Sequence, residues 1–378
     1  MSINTQQKIL SGAFGPLFKG VLLSGLLALA GCSSLEIKVV EDVSQARDGG
    51  SCHFSGLQKE LNSSGKLHVV AVHGMGHHNP NWSCDMRQNI FKAVGLTSPA
   101  DSLICKTDDN RKQTSGMGAI SLELAYLSGT TERARFYELS YSDITLTHKK
   151  ALNYDSGYDR YRVKVPQCLK TGCKGVGGLM NDNISDAFIY LGAANSEVQQ
   201  SMAEALTYIS NRVGENDHVI FIAESLGSRV TFDTLLGKGV IRSEAEANKL
   251  IEKSSQLWLL SNQLPLLQLG KKEKRSSLER LIDKRYEIDT ARGQQGRGVE
   301  KPLQVVAFSD PNDLLTYPIS RNLAQQHKNA RFYNALINNN KYAYFGVVNP
   351  LKAHVGYRTN GKVMDAIASG ASCSEGEK

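Results

Sequence analysis

The sequence predicts an α/β protein with an open, mostly parallel sheet flanked by helices. Three observations carry this. Short runs rich in Val, Ile, Leu and aromatics recur along the chain, and several are apolar throughout. Strands buried on both faces read this way, whereas half-exposed strands alternate. Segments with apolar residues at helical spacing lie between the runs, so strand and helix alternate as parallel crossovers require.

The candidate strands are "HVVAV" (68–72), "ARFYEL" (134–139), "HVIFIA" (218–223), "LWLL" (257–260), "LQVVAF" (303–308) and "YAYFGVV" (342–348). The clearest helix covers 196–213, where Val198, Met202, Ala205, Ile209 and Val213 fall on one face. Ser196 with Gln199 reads as a capping box and Gly214 as a stop. A second helix follows Ser225, with Val230, Leu235 and Leu236 on its apolar side and Gly237 at its end.

Two segments break the alternation. Residues 141–193 hold many Tyr, Lys and Gly, and a stretch of that length inside a sheet fold reads as an insertion. Residues 271–301 carry ten Lys/Arg against six Asp/Glu. A solvated helix and loop explains them most simply; a patch resting on anionic lipid headgroups is the alternative.

The chain has 378 residues, 41% hydrophobic, with 34 Gly and 9 Pro, enough apolar content for a sizeable core. The net charge of +7 is mild for this length, and no dense basic stripe with interleaved aromatics suggests nucleic-acid binding. Lys8 and Lys19 precede "GVLLSGLLALAGC", an apolar stretch too short to span a membrane but suited to a signal peptide core. It ends Leu29-Ala30-Gly31-Cys32 and resembles the bacterial lipoprotein signal. That resemblance implies removal of residues 1–31, acylation of Cys32 and a membrane anchor. Ser33 and Ser34 follow the cysteine, the pattern of an outer-membrane destination facing the periplasm. Residues 32–66 read as a tether and lead-in, and 67–378 as the folded domain with a cap-like insertion at about 141–193.

Besides Cys32 there are six cysteines: Cys52, Cys84, Cys105, Cys168, Cys173 and Cys373. In an exported chain they suggest up to three disulfides, with 15 possible pairings. Cys168–Cys173 is the local candidate and the rest stay open. No finger-like spacing points to zinc.

Chemistry concentrates at strand ends. "FIAESLGSRV" (221–230) places Ser225 directly after a buried strand and before a helix, with small Ala223 and Gly227 two residues either side. A nucleophile elbow needs this context, because the turn crowds both small positions. The competing role is a structural serine capping the helix. A serine nucleophile needs a histidine base oriented by a carboxylate. "VVAFSDPNDLLTYP" (305–318) offers Asp313, with Asp310 as the alternative acid better suited to holding the Ser-Asp-Pro-Asn turn. "YFGVVNPLKAHVGY" (344–357) offers His354. "HVVAVHGMGHH" (68–78) places His73-Gly74-Met75-Gly76 after the first clear strand, where backbone N–H groups can approach an oxyanion. A metal site on His73, His77 and His78 would need helical spacing that the glycines oppose.

The order Ser225, Asp313, His354, together with "HGMG" and "AESLG", resembles the α/β-hydrolase superfamily on its serine esterase and lipase side, over roughly residues 66–368. The resemblance implies a central mostly parallel sheet with an inserted cap, a Ser225-His354-Asp313 triad, an oxyanion hole from the N–H groups of Met75 and Leu226, and no cofactor or metal. It implies hydrolysis of carboxylic or lipid esters. A non-catalytic binding lipoprotein and an acyltransferase are the alternatives. Ala223 in place of the usual glycine, and a cap with its own cysteine pair, depart from the family pattern.

Overall fold

Strands β1 (Ile37–Asp42), β3 (Leu67–Val72), β4 (Ile120–Ser128), β5 (Thr131–Leu139), β6 (His218–Glu224), β7 (Ser254–Leu260), β8 (Leu303–Ser309) and β9 (Ala330–Ile337) form one sheet in the order β1-β9-β8-β7-β6-β3-β5-β4. A separate pair joins β2 (His53–Ser55) to β10 (Gly370–Ser372). The computed structural model describes residues 37–44, 53–105, 118–151, 184–237, 244–269, 274–291, 302–339 and 350–372. Pairing is parallel from β5 through β3, β6, β7 and β8 to β9, and antiparallel only at the two edges. The fold is thus a mixed α/β fold with a mostly parallel central sheet between helices.

The continuous apolar runs are buried on both faces. Val70 and Val72 of β3, Phe221 of β6 and Leu257 and Leu259 of β7 face one core. It is closed by helices Asn195–Ser210, Leu226–Leu236, Glu244–Lys253 and Ser277–Ala291. Val69 and Ala71, Ile220 and Ile222, and Trp258 and Leu260 face the other, closed by helices Leu57–Leu61, Cys84–Ala93 and Gly361–Ser369.

The central prediction for 196–213 is met by helix Asn195–Ser210, with Val198, Met202, Ala205 and Ile209 all buried. Its capping box does not form: the N-cap is Ala194, and the Gln199 amide instead donates to Asn195 Oδ1 at 3.1 Å. The helix ends before Gly214, whose N–H donates to Asp217. The helix after Ser225 runs Leu226–Leu236 and stops at Gly237, as expected.

The candidate strand 342–348 lies outside the described residues, and β9 at Ala330–Ile337 continues the parallel sheet. The segment expected to be a tether and lead-in holds β1, β2 and helix Leu57–Leu61. Cys84 and Cys105 form a disulfide with Cα atoms 5.9 Å apart. Cys32, Cys52, Cys168, Cys173 and Cys373 lie outside the described residues, as does 152–183 of the cap-like insertion. In the basic segment, four of the five described cations have acidic partners. Arg280 meets Asp233, Lys284 meets Glu244, Arg285 meets Asp289 and Arg275 meets Asp283. The described part of the segment, 274–291, has the pattern of a solvated helix, while Lys271, Lys272, Arg292, Arg297 and Lys301 lie outside the described residues.

Candidate active site

The chain leaves β3 for β5 on one side and reaches β6 on the other, so the strand order reverses between β3 and β6. Ligands of open α/β sheets bind at such a switch point, outside the carboxyl ends of the strands. The glycine loop follows β3 and Ser225 follows β6, so both sit there.

Ser225 links β6 to helix Leu226–Leu236 with φ +53° and ψ −122°, a conformation a non-glycine residue adopts only when its surroundings force it. Its N–H donates to Leu260 O of the adjacent strand at 2.8 Å, and its carbonyl accepts from Ser228 Oγ at 2.7 Å. The turn is crowded by backbone. A Cβ on Gly227 would lie 2.3 Å from His73 O and 2.8 Å from Val72 O. A Cβ on Gly74 would lie 2.8 Å from Ser225 Cβ. Ala223, where glycine is usual, is buried and pairs with Val72 without disturbing the register. Ser225 Oγ is buried with no hydrogen-bond partner among the described residues.

His354 and Asp313 meet at the same edge. His354 Nδ1 lies 2.9 Å from Asp313 Oδ1 and 3.1 Å from Oδ2. With Nδ1–H donated to the carboxylate, Nε2 is the nitrogen left to act as a base. Asp313 accepts three further hydrogen bonds: from Leu315 N at 3.0 Å, Ser261 Oγ at 2.7 Å and Tyr357 Oη at 3.0 Å. Burial acts to raise its pKa, but the hydrogen bond and charge of His354 and the donors around it prevail. The net direction is downward, so the carboxylate is held ionised. Burial next to Asp313 pushes the Tyr357 phenol up, so it stays a donor.

Asp310 does not touch His354. Its Oδ1 accepts from Asn312 N and Nδ2, its Oδ2 accepts from Asn339 N at 2.7 Å, and its own N–H donates to Tyr357 Oη at 2.8 Å. It holds the turn and, through Tyr357, steadies the Asp313 loop.

The glycine loop is braced from several sides. His73 is fully buried, its Nδ1–H donates to Gly74 O at 2.7 Å, and its Nε2 accepts from Tyr141 N. Burial pushes its pKa down to about 3, so it is a neutral structural ring. His78 Nε2–H donates to Met75 O at 3.1 Å, while its Nδ1 accepts from Arg358 Nη1 at 3.0 Å. Burial, then the neighbouring His73, lowers its pKa. Gly76 N–H donates to Asp186 Oδ2 at 2.6 Å, and buried Asp186 is ion-paired with Lys149 at 2.8 Å. Both residues lie in the segment expected to be an insertion, 141–193, so its described ends are tied to each other and, through Asp186, to the glycine loop. The N–H groups of Met75 and Leu226 donate to no other described group, and both residues are buried beside Ser225. His77 is exposed. Among the described residues no cluster of three or more metal-ligating side chains occurs.

Four contributors were not singled out from sequence. Ser261 follows the "LWLL" strand at φ +53° and lies 2.9 Å from His354 Nδ1 as well as bonding Asp313. Tyr357 and Asp186 are described above. His354 lies in the short helix Pro350–Val355, not in a loop as the sequence suggests, and Arg358 just after it reaches His78, lies 3.7 Å from the Glu224 carboxylate and stands over the Trp82 ring, tying that helix's end to both the glycine loop and the elbow. The available signal was position: Ser261 begins the turn after a predicted strand, as Ser225 does.

No family model, no curated protein and no solved structure matches the chain.

Proposed function

We propose that the chain is a serine hydrolase that cleaves carboxylic esters through an acyl-enzyme, on a scaffold of the α/β-hydrolase type. The observation that carries the reading is the positive-φ Ser225 between a buried strand and a helix, at the same sheet edge as an imidazole held by a carboxylate. In this reading Ser225 Oγ attacks the ester carbonyl carbon while His354 Nε2 takes its proton. Asp313 orients the ring and stabilises its cation. The oxyanion is met by the N–H groups of Met75 and Leu226, each worth about 3 kcal/mol of barrier. The tetrahedral adduct expels the alcohol, which takes the proton from His354. Water, deprotonated by His354, then attacks the acyl-enzyme and releases the acid and Ser225.

We further propose that the chain is an envelope lipoprotein acylated at Cys32, with lipid esters among its substrates. Labelled palmitate should enter the wild type and not Cys32→Ser. For the chemistry, a fluorophosphonate probe should label the wild type and not Ser225→Ala; equal labelling of both ends the hydrolase reading.

A second reading has one observation in its favour. Ser225 is only 1% exposed, and its Oγ makes no hydrogen bond to His354. A non-catalytic member that binds an envelope partner has no need of that contact. Hydrolases without ligand also show long catalytic hydrogen bonds that close on substrate. Turnover of short p-nitrophenyl esters, lost in His354→Ala, separates the two.

A further inference from the structure

β1 runs antiparallel to β9, with Ile37 paired to Ile337 and Asp42 to Tyr333. β9 in turn runs parallel to β8, which pairs Ser309 with Leu336. The start of β1 therefore lies at the carboxyl edge of the sheet, the edge that carries Ser225, Asp313 and His354. Only Ser33, Ser34, Leu35 and Glu36 separate Ile37 from Cys32. Five fully extended residue steps span at most about 18 Å. The far edge of the sheet lies a further ~20 Å away along the strands, at about 3.3 Å per residue. A lipid on Cys32 thus tethers the molecule by its catalytic edge, displaced sideways from Ser225 by four strand spacings, or about 19 Å.

The surface at that edge matches an apolar phase. Among the described residues, Leu314 next to Asp313 is 73% exposed, and Phe188, on the helix whose Asp186 holds Gly76, is 70% exposed. Tyr317, Val355, Leu191 and Leu336, on the same loops, helices and strand end, are exposed as well. Six large apolar side chains left in water along this edge constitute a docking surface, and the short tether says what it docks on.

We infer that the carboxyl edge of the sheet, with the mouth of the candidate site, lies against the membrane leaflet that holds acylated Cys32. The occupant of the apolar rim is that lipid surface, and the ester reaches Ser225 from the lipid phase. The inference rests on the lipid-anchor reading proposed above and does not depend on the chemistry at Ser225.

The test reads orientation without activity. The full chain is produced in a bacterium that processes lipoproteins and is reconstituted in phosphatidylethanolamine–phosphatidylglycerol vesicles. A photo-crosslinking p-benzoylphenylalanine replaces Leu314 or Phe188 at the catalytic edge. At the opposite edge it replaces Lys59 or Arg331, which line a polar depression there. All four side chains are exposed, so the fold tolerates the change. Lipid adducts are expected from 314 and 188, none from 59 and 331, and loss of all adducts on adding Cys32→Ser. Adducts from 59 or 331, or none from 314 and 188 in acylated protein, overturn the orientation while leaving the anchor intact. A wild-type chain that gains no acyl group defeats the anchor reading, and the orientation with it. Fluorophosphonate labelling of Ser225 judges the hydrolase reading separately.

Discussion

Replacing Asp313 and, separately, Asp310 with Asn divides the two acids by role. Asp313 fills both carboxylate oxygens: His354 Nδ1 and Leu315 N at Oδ1, Ser261 Oγ and Tyr357 Oη at Oδ2. An amide can keep only one of those oxygens. With its oxygen in the Oδ1 place, the fixed Leu315 N–H stays satisfied, but no negative charge remains to stabilise the imidazolium. With its NH2 there, His354 Nδ1 must become the acceptor, and Nε2 carries the hydrogen and cannot take a proton. Either outcome should lower kcat about ten-thousandfold, or roughly 5.5 kcal/mol of barrier. Asp310→Asn also loses an acceptor, orphaning either the Asn339 N–H or both Asn312 donors, at about 1–3 kcal/mol of stability. It leaves the His354–Asp313 pair whole, so kcat should stay within about tenfold of the wild type, the range of a single weakened hydrogen bond. The assay is kcat on a short p-nitrophenyl ester with the rate of fluorophosphonate labelling, read beside the melting temperature. An Asp310→Asn enzyme that melts normally yet loses four orders of magnitude, beside a nearly active Asp313→Asn, would refute the assignment.

Three further outcomes follow from the same geometry. Ser261→Ala removes one of four donors to a buried carboxylate, a bond worth about 1.5–3 kcal/mol; kcat should fall tenfold to a hundredfold with KM unchanged, and a change confined to KM would show that Ser261 acts on binding instead. Gly227→Ala sets a methyl 2.3 Å from the His73 carbonyl; the protein should lose about 1–3 kcal/mol in urea melts and most of its labelling by fluorophosphonate, and unaltered stability would mean the elbow is looser than described. His73 is held neutral with a pKa of about 3 against an ordinary 6.5, and that of His78 is lowered too, so the unfolded chain takes up protons that the folded chain refuses. Stability should therefore fall as pH drops from 6.5 toward 3, by up to about 2.7 kcal/mol per pH unit for the two rings together, and a melting temperature flat from pH 7 to about 4.5 would contradict their burial as neutral groups.

What could be read in the sequence was the middle of the sheet and the ends of its strands. β3, β6, β7 and β8 are apolar on both faces and announce themselves as unbroken runs. β4 was missed because its buried apolar residues Ile120, Leu122, Leu124 and Tyr126 are interrupted by Ser121 and Glu123, so no unbroken apolar run marks its start. β1 lies at an edge and carries Lys38, Glu41 and Asp42, so it reads as tether. β9 mixes Arg331 and Asn334 into its apolar residues, and only its place between β8 and β1 makes it a strand.

The candidate site divides along the same line. Ser225 and Asp313 could be named because each follows a recognisable strand, where side chains leave the ladder and become available for chemistry, and His354 could be named from its place late in the chain, although it lies in helix Pro350–Val355. Ser261 and Arg358 could not be given roles. Their importance depends on which strand lies beside which, and lateral order is not written in a run of residues. Ser261 matters because β7 lies next to β6 on one side and β8 on the other, so its last residue, Leu260, holds the elbow and the first residue past its end meets the acid and the base. Arg358 matters because the chain leaving helix Pro350–Val355, which carries His354, returns over the glycine loop after β3, three strands from β8. A reactive group can thus be inferred from its own strand. The residues that aim it come from neighbouring strands and become visible only with the topology.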